Sequence, residues 1–118
     1  MPIRFYEYEK CSTCRTARKW LDARGIAYQR IPIRENPPTE AELGEMLRAH
    51  GGDLRRLFNT SGGDYKAMHL KERLSELKDT EALELLSMHG NLVKRPFLLG
   101  NGHALIGFKP EIWEQSFG

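Results

Sequence analysis

Two cysteines, Cys11 and Cys14, are the only thiols in this 118-residue chain, and they stand three apart in the stretch EKCSTCRTARKW, residues 9 to 20. That spacing suits several chemistries. A zinc site usually takes about four Cys or His ligands at close intervals. The four histidines, His50, His69, His89 and His103, are scattered singly, so no metal is expected. A disulfide across so small a loop would constrain little of the unfolded chain. A redox pair fits better: one thiolate attacks a partner's sulfur, and the second thiol resolves the mixed disulfide. A plainer role stays open beside it, in which Cys14 is a small core residue on the inward face of a helix.

Redox chemistry needs a particular scaffold, and the flanking residues supply its pattern. Ile3 to Tyr8 is aromatic-rich, with Phe5 between polar neighbours, and reads as a strand. From Thr13 the period becomes helical. Cys14, Ala17, Trp20 and Leu21 share one face, and Arg15, Arg18, Lys19, Asp22 and Arg24 take the others. Gly25 sits where a helix end wants a left-handed residue. Ile26 to Ile33 reads as a second strand, completing a βαβ unit with a right-handed crossover. Cys11 then lies at or just before the helix N-cap, where free backbone N–H groups and the helix dipole stabilise an anion. Lys10, Arg15 and Arg18 add positive charge nearby, so the Cys11 thiol is expected to ionise below the free-cysteine value of about 8.5. Cys-x-x-Cys beside a βαβ pattern is the thioredoxin-like signature.

The middle of the chain is helical in pattern. Asn36-Pro37-Pro38 is a stop, and Thr39 with Glu42 forms a capping box ahead of the apolar stripe Leu43, Met46, Leu47. His50 to Asp53 breaks that helix. Leu54 to Phe58 can make a further turn, and Asn59 to Asp64 is loop-like. Two more helical patterns carry Leu70, Leu74 and Leu77, then Leu83, Leu86 and Met88. The tail returns to strands. Phe97-Leu98-Leu99 and Ala104-Leu105-Ile106 flank the hairpin signal Gly100-Asn101-Gly102. Pro110 opens a last helix that carries Ile112, Trp113 and Phe117 toward the core. The order is β-α-β, helices, β-β-α, within one domain of residues 1–118 and with the helical insertion at about 38–90.

Composition narrows the setting. With 40% hydrophobic and 29% charged residues the chain reads as an ordinary globular domain. A net charge of +2 is too small to argue for nucleic acid or a membrane by itself. No apolar run could span a bilayer, and residues 1 to 6 do not read as a signal peptide. A cytoplasmic, thiol-reducing compartment is expected.

Four stretches, KCSTCRTARKWLDARGI, ENPPTEAEL, LFNTSGGDYK and KRPFLLGNGHALIGFKPEIW, resemble in order the arsenate reductase-like family, which includes glutaredoxin-coupled arsenate reductases and Spx-type regulators. The resemblance implies an α/β fold: a thioredoxin-like βαβ–ββα core with a mixed sheet and a helical insertion. It implies Cys11 as catalytic nucleophile, Cys14 as its partner, and Arg15, Arg95 and Lys109 as substrate-binding residues, with Pro96 a structural cis-proline facing the reactive cysteine. It also implies no bound cofactor, with glutathione or another thiol as co-substrate and a glutaredoxin or thioredoxin system as partner. An Spx-like member would instead bind RNA polymerase, without contacting DNA itself. A monomer is expected. Three positions depart from the arsenate-reducing pattern: Asn59-Thr60-Ser61 replaces an arginine, Lys109 replaces another, and Glu7 replaces a histidine. Thiol–disulfide exchange is therefore expected ahead of arsenate reduction. A third possibility is a domain whose thiols are only structural.

Overall fold

The structure is a computed structural model and describes residues 2–118. Its centre is a mixed four-stranded sheet in the order β2-β1-β3-β4, from β1 (Arg4–Glu7), β2 (Gln29–Pro32), β3 (Phe97–Gly100) and β4 (His103–Ile106). β1 runs parallel to β2 and antiparallel to β3, and β3 is antiparallel to β4. The first pairing demands a crossover, supplied by α1 (Ser12–Ala23). The second strand is shorter than the apolar run Ile26 to Ile33 suggested, because only residues 29–32 reach the ladder.

The side-chain alternation of the two inner strands divides the core. Phe5 and Leu98 point to one face, where they meet Ala17 and Leu21 of α1, Leu105 and Trp113. Tyr6, Phe97 and Leu99 point to the other, against the helical segment between β2 and β3. That segment holds α2 (Glu40–Ala49), α3 (Gly63–Ala67), α4 (Leu70–Arg73) and α5 (Asp79–Met88), with single turns at Leu54–Leu57, Leu74–Glu76 and Gly90–Leu92. The last helix, α6 (Pro110–Phe117), returns to the α1 side and buries Trp113. Two helical layers thus enclose one sheet, the thioredoxin-like arrangement.

Local signals explain most element ends. Gly25 follows α1 with φ +65°, the left-handed conformation that a side chain disfavours. The Thr39 hydroxyl accepts the Glu42 N–H, and the Glu42 carboxylate accepts the Thr39 N–H, a complete capping box. Asn101 and Gly102, at φ 50° and 83°, make the hairpin turn between β3 and β4.

Three readings of the sequence need correction. The Leu70–Leu77 pattern does not form one helix: the chain tightens at Leu74 into a single turn. Met88 is 67% exposed and Ile112 41%, so neither joins the core. Glu7 lies on the Phe5 side of β1 and is buried at 4% exposure, because β1 is an inner strand covered on both faces.

Candidate functional site

Cys11 is the N-cap of α1. Its extended backbone, φ −86° and ψ 119°, turns the sulfur back over the first helical turn, where it accepts the Cys14 backbone N–H at 3.4 Å. A serine or aspartate oxygen ordinarily fills this role; here a sulfur does, and the donation favours its anionic form. Cys11 is half-buried and Cys14 fully buried, and both are reduced. Burial alone would push the Cys11 thiol up. The Cys14 amide and thiol, both donating to its sulfur, and the Arg95 guanidinium outweigh that effect and hold Cys11 below the ordinary thiol value. Cys14 moves the other way. Burial, with the negative charges of Cys11 and Glu7 adding to it, pushes its thiol up to about 12. One thiol is prepared as an anion and its neighbour as a proton donor.

The charge beside Cys11 is not the one suggested by sequence neighbours. Arg18 sits with Nε 2.9 Å from Glu7 Oε1, and Arg30 reaches the other carboxylate oxygen at 3.2 Å. Those two arginines neutralise the buried Glu7 carboxylate. Arg15 is exposed and does not line the cleft that Cys11 faces; Lys10 is exposed too. The neighbouring cation is Arg95, from the start of β3, next to the cis Arg95–Pro96 bond.

That cleft has a volume of about 660 Å³. Its polar lining residues include His50, Asp53, Arg56, Asn59, Lys94, Arg95 and Lys109; its apolar ones include Leu105, Ile106, Phe108, Ile112 and Trp113. Four cations face a single carboxylate, which makes the cleft an anion-attracting one. Lys94 enters across Gly107, whose missing side chain leaves room for the lysine stem; an added Cβ would stand 2.9 Å from Lys94 Cε. His50 Nε2 lies 3.1 Å from the Ala104 carbonyl, which requires the Nε2–H tautomer. Burial, aided by Arg56, lowers its pKa, so it stays neutral at physiological pH.

Of the residues singled out in the sequence, Cys11, Arg95 and Lys109 therefore share one cleft, Cys14 lies behind Cys11, and Arg15 lies apart. Arg56, Lys94 and His50 were missed. Arg56 lies in the same middle segment as Asn59, so that segment brings a cation to the cleft where only neutral polar groups were expected. Lys94 had a signal in sequence, its place within KRPF. Among the described residues no three His, Cys, Asp or Glu side chains gather as metal ligands.

The sequence and fold have close counterparts. YusI of Bacillus subtilis strain 168 is 41% identical over 117 residues, 99% of each chain. The global transcriptional regulator Spx 2 of Oceanobacillus iheyensis is 34% identical across 83% of this chain and 71% of its own length. A solved structure described as a possible arsenate reductase, from Streptococcus mutans UA159, superimposes with a TM-score of 0.87 at 41% identity, covering 95% of this chain and 97% of that one. A sequence model of the ArsC family matches residues 6–116, essentially the whole described structure, and the chain belongs to that family.

Proposed function

We propose that this chain is a cytoplasmic, monomeric thiol–disulfide oxidoreductase in which Cys11 attacks and Cys14 resolves. The observation that carries the reading is the helix-capping sulfur of Cys11, fed by the Cys14 N–H and open to a cationic cleft. The Cys11 thiolate attacks one sulfur of a substrate disulfide. A Cys11–substrate S–S bond forms, the old S–S bond breaks, and half the substrate leaves as a thiolate. Cys14 then gives up its proton and attacks Cys11, releasing the second half as a thiolate that takes a proton. The Cys11–Cys14 disulfide is returned to two thiols by an external dithiol or by two glutathione molecules, through a glutaredoxin or thioredoxin system. In the reduced protein the Cys14 thiol is pushed up to about 12, so it keeps its proton while Cys11 attacks. The cleft's cations and size favour a substrate bearing carboxylates, such as a glutathione-linked disulfide.

Arsenate is a weaker substrate in this reading. A tetrahedral oxyanion is best gripped by arginine forks, and Lys109 offers a point charge in place of one. The test is NADPH consumption with arsenate, and with a glutathione mixed disulfide, under glutathione–glutaredoxin and thioredoxin systems in turn, each rate taken above that of the coupling system alone. Disulfide turnover that collapses in Cys14→Ser is expected. Arsenate turnover that is faster, and survives loss of Cys14, overturns the proposal. A second reading, a redox-switched regulator that binds RNA polymerase, is favoured by the 34% identity to an Spx protein. Retention of RNA polymerase on the immobilised chain, dependent on the Cys11–Cys14 redox state, together with no disulfide turnover, would select it.

A further inference from the structure

Arg95 carries the charge that acts on Cys11, yet little of the usual kind holds it in place. Its Nη1 is buried without a hydrogen-bond partner among the described residues. Among the described residues the carboxylate pairs go to Arg4, Arg18, Arg24 and Arg30 instead. What lies against Arg95 is an aromatic ring: its guanidinium carbon is 4.9 Å from the centroid of Tyr8. Tyr8 is itself anchored. Arg34 Nη1 donates to the Tyr8 hydroxyl at 3.0 Å, and the Arg34 guanidinium carbon also stands 4.9 Å from the ring. The Tyr8 carbonyl accepts the Cys11 N–H at 3.0 Å, so the residue that carries the ring also ties down the loop that carries the nucleophile.

We propose that Tyr8 is a positioning residue whose ring face holds the Arg95 guanidinium beside the Cys11 sulfur. This rests on the thiol-exchange reading and deepens it. An arginine side chain has many rotamers and is strongly drawn to water; a fixed location must be held by contacts. The negative face of a tyrosine ring attracts a guanidinium, and more so where water is partly excluded. The ring leaves the guanidinium's N–H donors unspent, because it binds the flat face and not the edge. Arg95 thus keeps its fork for the thiolate and for an incoming anion. The same ring that orders Arg95 adds no negative charge beside the thiolate, as a carboxylate partner would.

Tyr8 acts through Arg95, so its effect is read on Cys11 ionisation and not on turnover alone. The experiment is the pH dependence of iodoacetamide alkylation at Cys11, followed by mass spectrometry on the full chain. Arg95→Gln sets the scale, moving the profile to higher pH. Tyr8→Leu is expected to move it the same way and to slow alkylation at pH 7 by roughly three- to tenfold. Tyr8→Phe, which loses only the Arg34 hydrogen bond, stays near wild type. In an Arg95→Gln background, Tyr8→Leu should add nothing. In case Tyr8→Leu does not fold, phenylalanines of increasing ring fluorination at position 8 keep the shape while draining the ring's negative face. The profile should then climb stepwise with fluorination. A profile unmoved by fluorination while Arg95→Gln still shifts it overturns the Tyr8 proposal and leaves the thiol chemistry standing. A Cys11 that titrates as an ordinary thiol in wild type and in Arg95→Gln alike overturns both.

Discussion

Cys11 and Cys14 share a helical turn and differ in ionisation because their surroundings differ. Donors and a guanidinium surround one sulfur; apolar burial and negative charge surround the other. At pH 7 Cys11 should therefore alkylate at least ten times faster than Cys14, measured peptide by peptide. Faster labelling of Cys14 would reverse their roles. Cys14 also makes a thermodynamic prediction. Its folded value, about 12, lies above that of an unfolded thiol, about 8.5. Between those values the folded chain keeps a proton that the unfolded chain sheds. This contribution to stability is intact below the unfolded value and is lost as pH rises toward the folded one. Tyr6, pushed up to about 12 by burial and by its hydrogen bond to Glu42, adds a loss of the same sign. Urea midpoints at pH 8 and pH 11 should fall for wild type and fall less for Cys14→Ala; equal falls would show that Cys14 does not stay protonated.

Between elements, Glu42 joins α2 to the sheet. Its carboxylate completes the capping box with Thr39, accepts the Tyr6 hydroxyl at 2.8 Å and pairs with Arg4 at 3.0 Å. Burial alone would raise its pKa, but these donors more than offset that and hold it below the usual carboxylate value. Thr39→Ala should cost about 1 kcal/mol, the worth of a cap. Glu42→Ala should cost about 2–3 kcal/mol, since it also strands the half-buried Tyr6 hydroxyl. Urea unfolding of both variants checks the ranking; equal losses would mean that Glu42 acts only as a cap. The turn Gly90–Leu92 makes a different demand. A Cβ at Gly90 would collide with the Ile33 carbonyl oxygen, just past β2, where both partners are backbone and cannot yield. Gly90→Ala should cost at least about 1–3 kcal/mol, as overpacking does. Gly63→Ala, which meets nothing, serves as the neutral control.

Across the molecule, the cleft gathers residues from the whole chain: Cys11 before α1, His50 after α2, Arg56 from the middle turn, Arg95 before β3 and Lys109 before α6. Its excess of cations should select among disulfides by charge. With a disulfide carrying carboxylates, KM should rise steeply with ionic strength, because exposed charges are screened over about 10 Å at 0.1 M salt. With a cationic disulfide of similar size, kcat/KM should be lower and should rise with salt. Arg56→Gln or Lys94→Gln should narrow the difference. The same salt response for both substrates would remove the cleft's charge from the mechanism.

What the sequence determined by itself is local. The place of Cys11 at a helix start, the capping box at Thr39 and Glu42, the hairpin at Asn101-Gly102 and the β-α-β then β-β-α order all follow from spacings of a few residues, where backbone geometry leaves few choices. KRPF and KCSTC were legible as motifs for the same reason. Tertiary structure decided which charges meet. Arg18, one helical turn from Cys14, was drawn to the buried Glu7 because that carboxylate sits on an inner strand and needs a partner. Arg15, four residues from Cys11, was left at the surface. Arg95, far away in sequence, was delivered to the Cys11 sulfur by the antiparallel pairing of β3 with β1. Sequence distance orders covalent neighbours, whereas a charge acts through space. Only the packed sheet and helices set that distance.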